Sequence, residues 1–447
     1  MQIEITEKEI KNAIKIEFNK KEKVGEISYK EDIITCNLGK EKVTNNSIKK
    51  ILQNVISFGK NLKKDIIIDV KGFDDGIASY IFYYLILSEN EIKNLKSEKE
   101  EEKNENKIYL WADKRQFPEL SKASILGDSV NYVREINLLP GNIATPSYIN
   151  EEVKKMAKEW NLKYECIDFQ QIHDLEMNAF MSVAKGSYNE PVMPIIKYTH
   201  KKAKKTILIV GKGITFDSGG ISLKPSKGME EMKYDKSGAI TTMGIIRAIA
   251  EIEPEINVIG VMPLCENMPS GNATRPGDVV TAYNGKTIEI LNTDAEGRMI
   301  LADALAYGIE KYKPDYVIDL ATLTGAVTVA LGSYHIAILG NDKEFIDLIN
   351  ESSKKSYDQV WQLPLTEEYV ELMKGKFADI KNSSETGEAG TITAAAFLSN
   401  FVGKTKWVHL DIAGTAHTKG NSPFSFGPTG AGLSVVVETI LNLQKKK

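Results

Sequence analysis

Thr206-Ile207-Leu208-Ile209-Val210 runs straight into Gly211-Lys212-Gly213-Ile214-Thr215-Phe216-Asp217-Ser218-Gly219-Gly220. A short apolar run without alternation reads as a strand buried on both faces. Similar runs follow at Asn257-Val258-Ile259-Gly260-Val261-Met262, Tyr316-Val317-Ile318-Asp319-Leu320 and Trp407-Val408-His409-Leu410-Asp411-Ile412. Between them lie helix-like stretches, Ser237 to Ile252, Arg298 to Tyr312 and Thr393 to Phe401. This alternation predicts an α/β domain with a largely parallel central sheet. In such sheets ligands gather beyond the carboxyl ends of the strands, which is where Lys212 and Asp217 fall. The glycines around them allow sharp turns and close backbone approach to a ligand. Their spacing fits neither G-x-G-x-x-G nor G-x-x-x-x-G-K-[ST], so nucleotide binding has little support.

Upstream, Asp65-Ile66-Ile67-Ile68-Asp69-Val70 reads as a strand and Ile77 to Tyr84 as an aromatic helical run. The charged run Ser97 to Lys107 reads as a solvated loop or a frayed helix end. A helix-like segment from Ser121 to Leu138 leads into the turn-rich Leu139-Pro140-Gly141-Asn142. With 447 residues, two domains are expected. The division predicted is 1–118 for a small N-terminal α/β domain, 119–138 for a linker helix and 139–447 for the larger α/β domain.

The composition is that of an ordinary globular protein, 42% hydrophobic and 26% charged. A net charge of −4 argues against a dedicated nucleic-acid binder. Met1-Gln2-Ile3-Glu4 opens into mixed charged sequence with no apolar core of a signal peptide, and no apolar run spans a bilayer. The three cysteines, Cys36, Cys166 and Cys265, are far apart and form no framework, so free thiols in a reducing cytoplasm are expected.

A second acidic stretch, Asn292-Thr293-Asp294-Ala295-Glu296-Gly297-Arg298, sets two carboxylates and a guanidinium at alternate positions before a helical run. With Asp217, Lys224 and Asp235 it offers enough hard oxygen ligands for two divalent metals and cations to meet developing negative charge. Simpler uses exist for each residue. Asp235 could cap the helix at Ser237, and Thr293-x-x-Glu296 fits a capping box. Lys224 and Arg298 could be solvated surface residues. Convergence of the carboxylates would change this reading. Without metal they would repel one another and some would have to protonate, so convergence predicts metals. None of the five histidines lies in these clusters, and no H-E-x-x-H motif is present.

The heptad Asn292 to Arg298 resembles the signature of the leucyl aminopeptidase (cytosol aminopeptidase) family. Val210 to Ser222 is similar to that family's first metal segment, and Ser270-Gly271-Asn272-Ala273-Thr274-Arg275-Pro276-Gly277-Asp278 to the loop before its signature. Ala321-Thr322-Leu323-Thr324-Gly325-Ala326 and His409-Leu410-Asp411-Ile412-Ala413-Gly414-Thr415-Ala416 also match, in order. The likeness runs from about Asn137 to the C-terminus; the first domain shows little to match.

The resemblance implies a larger C-terminal domain whose mixed, largely parallel sheet carries a two-metal site. Lys212, as a neutral amine, Asp217, Asp235 and Glu296 would hold the tighter ion. Asp217, Asp294 and Glu296 would hold the more exchangeable one. Zn or Mn is implied, with Co or Mg as further options in the exchangeable site. Lys224 and Arg298 would be the catalytic cations, with a bicarbonate ion at Arg298 as the proposed general base. Met232, Thr322, Gly325, Ala413 and Ala416 would line the pocket for the first side chain, and the Leu323 carbonyl would orient the scissile amide. The implied reaction is attack of a metal-bridging hydroxide on the first peptide bond of substrates with a free N-terminus. Small, apolar or flexible pocket residues suit a Leu- or Met-like side chain. A homohexamer is implied as well. Two other readings stand beside this one: another two-metal hydrolase such as a phosphoesterase, and a non-catalytic scaffold or DNA-binding relative. Scarce histidine counts against the first, and the filled ligand positions and net charge against the second.

Overall fold

The run at 206–210 is the strand Thr206–Gly211, near the middle of an eight-stranded sheet in the computed structural model of the chain. The structure describes residues 2–11, 13–19, 27–30, 32–37, 52, 64–89, 95–97, 107–419 and 426–445. The expected loop at Ser97 to Lys107 falls largely outside these, since 98–106 are not among them.

The chain divides into two units, Met1–Asn131 with Thr418–Gly427, and Tyr132–His417 with Pro428–Lys447. In the second unit the sheet runs, from edge to edge, Val360–Gln362, Ile336–Gly340, Lys406–Asp411, Tyr316–Ala321, Thr206–Gly211, Asn257–Val261, Met193–Tyr198 and Lys163–Ile167. The four central strands, from Lys406–Asp411 to Asn257–Val261, are mutually parallel. Ile336–Gly340 and Met193–Tyr198 flank them antiparallel, so the sheet is mixed.

Ile207, Leu208, Ile209 and Val210 are all buried because helices cover both faces. Gly308 of the helix Gly297–Tyr312 lies against Leu208, whereas Gly238 and Thr242 of the helix Ser237–Ile252 lie against Gly211. Leu208 and Gly211 are three residues apart, hence on opposite faces. Helix Ser237–Ile252 has the predicted bounds; the run at Thr393 is the helix Gly390–Leu398 continued by a 3₁₀ turn, Ser399–Phe401.

The first unit holds a six-stranded sheet ordered Gln2–Thr6, Lys107–Trp111, Ile66–Asp69, Ile14–Asn19, Ile33–Asn37, Ile27–Lys30. Every pair is parallel except the last. The aromatic run is the helix Asp75–Glu89, and the helix expected from Ser121 to Leu138 begins earlier, at Phe117.

One buried carboxylate ties the second unit together. Asp303, fully buried on helix Gly297–Tyr312, accepts the N–H of Phe180 at 2.9 Å and of Tyr283 at 2.8 Å. Asp303→Ala leaves both amides without an acceptor and is expected to cost about 2–5 kcal/mol. Urea unfolding checks this, and a midpoint equal to that of the parent chain would contradict it.

Candidate active site

The four parallel strands end at one edge, and their continuations build the site. Lys212 follows Thr206–Gly211, Thr322 and Leu323 follow Tyr316–Ala321, and Ala413 follows Lys406–Asp411. Beyond Asn257–Val261 the chain forms Leu264–Asn267, which pairs in parallel with Gly213–Asp217 and so fixes Asp217. Lys212 is locked by its backbone: its N–H donates to Leu320 O at 2.9 Å and its carbonyl accepts the Ala239 N–H at 2.8 Å. Its side chain lies across the start of helix Gly297–Tyr312. A Cβ on Gly297 would stand 2.6 Å from Lys212 Nζ, so only glycine admits this path.

The predicted metal residues converge. Lys212 Nζ lies 2.8 Å from Asp235 Oδ1, 2.7 Å from Glu296 Oε1 and 2.9 Å from Thr322 O. Oxygens of Asp217, Asp294 and Glu296 lie within 4.8 Å of one another. Lys224 Nζ joins two of these residues, at 2.7 Å from Asp217 Oδ2 and 2.5 Å from Asp294 Oδ1. Lys212, Asp217, Asp235 and Glu296 are buried; Asp294 and Lys224 are half-buried.

The electrostatics are those of crowded carboxylates under burial. Burial, helped by the Glu296 charge, pushes Asp217 up to about 6 against the pull of Lys224 and Lys212. Burial likewise raises Asp235 well above the carboxylate range, with Lys212 opposing. For Glu296 burial also acts upward, but Lys212 and Lys224 outweigh it and hold the group low. Four carboxylates share two ammonium groups, leaving two negative charges uncompensated if all ionise. Asp235 Oδ2 and Glu296 Oε2 are buried with no hydrogen-bond partner among the described residues. Such hard, unpartnered oxygens in a surplus of negative charge fit divalent cations.

Arg298 is buried near Glu296, and its Nη1 donates to Asn382 O at 2.8 Å. Of the predicted pocket residues, Thr322 touches the carboxylate cluster through Oγ1, which donates to Asp235 Oδ1 at 2.7 Å. Leu323 and Ala413 are gathered by one carboxylate, Asp411 Oδ1, which accepts the Leu323 N–H at 3.2 Å and the Ala413 N–H at 3.1 Å. Met232 is half-buried on the 3₁₀ segment Met229–Lys236, Ala416 is buried and Gly325 is exposed at the head of the helix Gly325–Leu331.

Neither of the simpler capping uses is found. Helix Gly297–Tyr312 has Glu296 itself at its N-cap with helical backbone angles and no side-chain cap bond. Thr293 Oγ1 instead donates to Gly219 O at 2.7 Å and accepts the Ser222 N–H at 2.8 Å. The hydroxyl therefore joins the signature turn to the glycine turn that carries Lys224. Gly219 sits at φ +86° there, and a Cβ would meet Asp294 Oδ1 at 2.8 Å. Asp235 does not cap the helix at Ser237 either, because its carboxylate is engaged by Lys212 and Thr322.

Sequence reasoning missed three residues. Asn267 Nδ2 donates to Asp217 Oδ1 at 2.8 Å and to Thr293 O at 3.0 Å, orienting a metal candidate and the signature turn together. Asp411 and Asn382 were missed too. Single buried Asn and Asp residues on strand ends carry no local pattern, so nothing in the sequence distinguishes them.

Comparison with known proteins agrees with this geometry. Residues 131–437 match the family model described as cytosol aminopeptidase family, catalytic domain. The chain is 47% identical over 328 residues to a "Probable cytosol aminopeptidase" of Vesicomyosocius okutanii, covering 73% of this chain and 68% of that protein. It is 46% identical over 322 residues to proteins of the same description from Burkholderia thailandensis and Burkholderia pseudomallei, covering 72% of this chain and 63% of each. The chain thus spans less than two thirds of the length of the Burkholderia relatives.

Proposed function

The chain belongs to the cytosol aminopeptidase family, whose members are metallopeptidases, and from that premise we propose that it is a metal-dependent aminopeptidase. It would remove N-terminal residues, Leu- and Met-like apolar ones by preference, from peptides with a free amine. The observation that carries the reading is the convergence of Asp217, Asp294 and Glu296 within 4.8 Å beside Lys212, Asp235 and Lys224.

In this reading Lys212, which would have to give up its proton to bind, would hold one divalent ion with Asp217, Asp235 and Glu296, and Asp217, Asp294 and Glu296 would hold a second, more exchangeable one. When bound, such ions supply Lewis acidity that activates water and polarises the scissile carbonyl. The rest falls to the chain. The Lys224 ammonium, fixed by Asp217 and Asp294, is set to meet the negative charge that develops on the carbonyl oxygen. Burial and its neighbouring carboxylates act oppositely on Lys224, and the carboxylates win, so it stays charged. Arg298 stands ready to hold an anion such as bicarbonate, and its buried Nε has no partner among the described residues. Met232, Thr322, Leu323, Gly325, Ala413 and Ala416 are assigned to the substrate pocket. One methylene changes the preference among apolar side chains by only about 1–3 kcal/mol.

A domain order of 1–118, 119–138 and 139–447, a cytoplasmic location and a homohexamer complete the proposal. The description of the relatives as cytosol aminopeptidases supports the location. Among the described residues no helix is long and apolar enough to cross a membrane. Exposed aromatics such as Tyr334, Trp361 and Phe377 are available for subunit contacts.

Parallel assay of leucine p-nitroanilide and p-nitrophenyl phosphate tests the activity. Release from the anilide alone is expected; release from the phosphate ester alone would overturn the reading in favour of a phosphoesterase.

A further inference from the structure

Segment 374–382 lies along the strand that leads into the signature turn. Ile380–Lys381 pairs in parallel with Thr287–Glu289. Asp379 Oδ2 accepts both the N–H and the hydroxyl of Thr287, each at 2.9 Å. Glu289 Oε1 accepts the N–H groups of Phe377 and Ala378. The segment ends on Asn382, which is fully buried and anchored by its own N–H to Glu289 O at 2.9 Å.

The Asn382 side chain is spent on the turn. Oδ1 accepts the N–H of Leu291 at 2.9 Å and of Asn292 at 3.3 Å, and Nδ2 donates to Asn292 O at 2.7 Å. Its backbone carbonyl takes the Arg298 Nη1 at 2.8 Å. One residue therefore holds the start of the turn with its side chain and the guanidinium at the end of the turn with its main chain. A buried amide with donors and acceptor both satisfied specifies one geometry, because any shift leaves a buried polar group unpaired.

We propose that Asn382 is the positioning residue for Arg298: its side chain fixes the turn from Leu291 onward, and its carbonyl then fixes where the guanidinium points. The inference rests on the aminopeptidase reading, in which Arg298 acts in the reaction. Asn382 touches no substrate in it, and the segment 374–382 sets the arginine by way of this one contact.

The test uses the full chain loaded with metal. Asn382→Ala should lower kcat on leucine p-nitroanilide about 10–100-fold, as loss of an orienting partner does, with KM changed less than about threefold. In an Arg298→Ala background the same substitution should add less than about threefold, because both changes remove one function. Amide hydrogen exchange at 291–292 should quicken. If Asn382→Ala does not fold, Asn382→Asp serves in its place: it keeps the acceptor but sets an oxygen against Asn292 O. An equal loss in both backgrounds, or parental kcat in the single variant, overturns the proposal. A parent chain that leaves the anilide untouched is a different outcome, which overturns the aminopeptidase reading and this inference with it.

Discussion

Glu296→Ala lowers kcat/KM on leucine p-nitroanilide by on the order of 10³-fold or more, about 4 kcal/mol of transition-state stabilisation, while the chain stays folded. Glu296 is, with Asp217, one of the two residues shared by both proposed ions. Oε1 lies 2.7 Å from Lys212 Nζ, and Oε2 is buried without a hydrogen-bond partner among the described residues. Its removal takes a donor from each ion, so bound metal should fall along with turnover. Folding survives because Lys212 keeps an ion partner: Asp235 Oδ1 remains 2.8 Å away, and no buried charge is orphaned. Metal content by elemental analysis, circular dichroism and steady-state kinetics on one preparation check all three statements. Parental turnover in the variant would remove Glu296 from the site.

Lys224→Ala should act differently. Its ammonium contributes mainly once negative charge has developed, so kcat is expected to fall about 10²–10³-fold with KM within a fewfold of the parent and metal retained. A change confined to KM would contradict the role. The structure adds a second expectation. Lys224 Nζ bridges Asp217 Oδ2 and Asp294 Oδ1, so without it those carboxylates face each other unscreened unless metal is bound. Lys224→Ala should therefore lose more thermal stability after chelation than when loaded. Equal losses in the two states would mean that the bridge does not matter to folding.

The parts of this fold that were legible in the sequence are those set by local pattern. Ile207 to Val210 are apolar at every position because both faces of the strand are covered, and such a run needs no distant information to be read. The carboxylates stood out because they cluster beside glycines at the end of that strand and again at 294–296. Thr293 shows where pattern misleads. Its spacing to Glu296 fits a capping box, yet its hydroxyl is claimed by Gly219 O and Ser222 N–H, more than seventy residues away. Asp235 reads as a cap for the same reason and is claimed by Lys212 and Thr322 instead. Asn267, Asp411 and Asn382 hold the site through contacts that exist only once the chain is folded. In the first unit, Gln2–Thr6 pairs with Lys107–Trp111, a register across a hundred residues that no local pattern encodes.

The measurement that bears most directly on the account is leucine p-nitroanilide hydrolysis by the full chain, stripped of metal with a chelator and then given Mn²⁺ or Zn²⁺. For a metal-dependent aminopeptidase the expected result is loss of release on chelation, recovery on metal addition, and no release when the α-amine of the substrate is acetylated. Release that survives chelation, or equal cleavage of the acetylated substrate, would contradict a metal-dependent aminopeptidase.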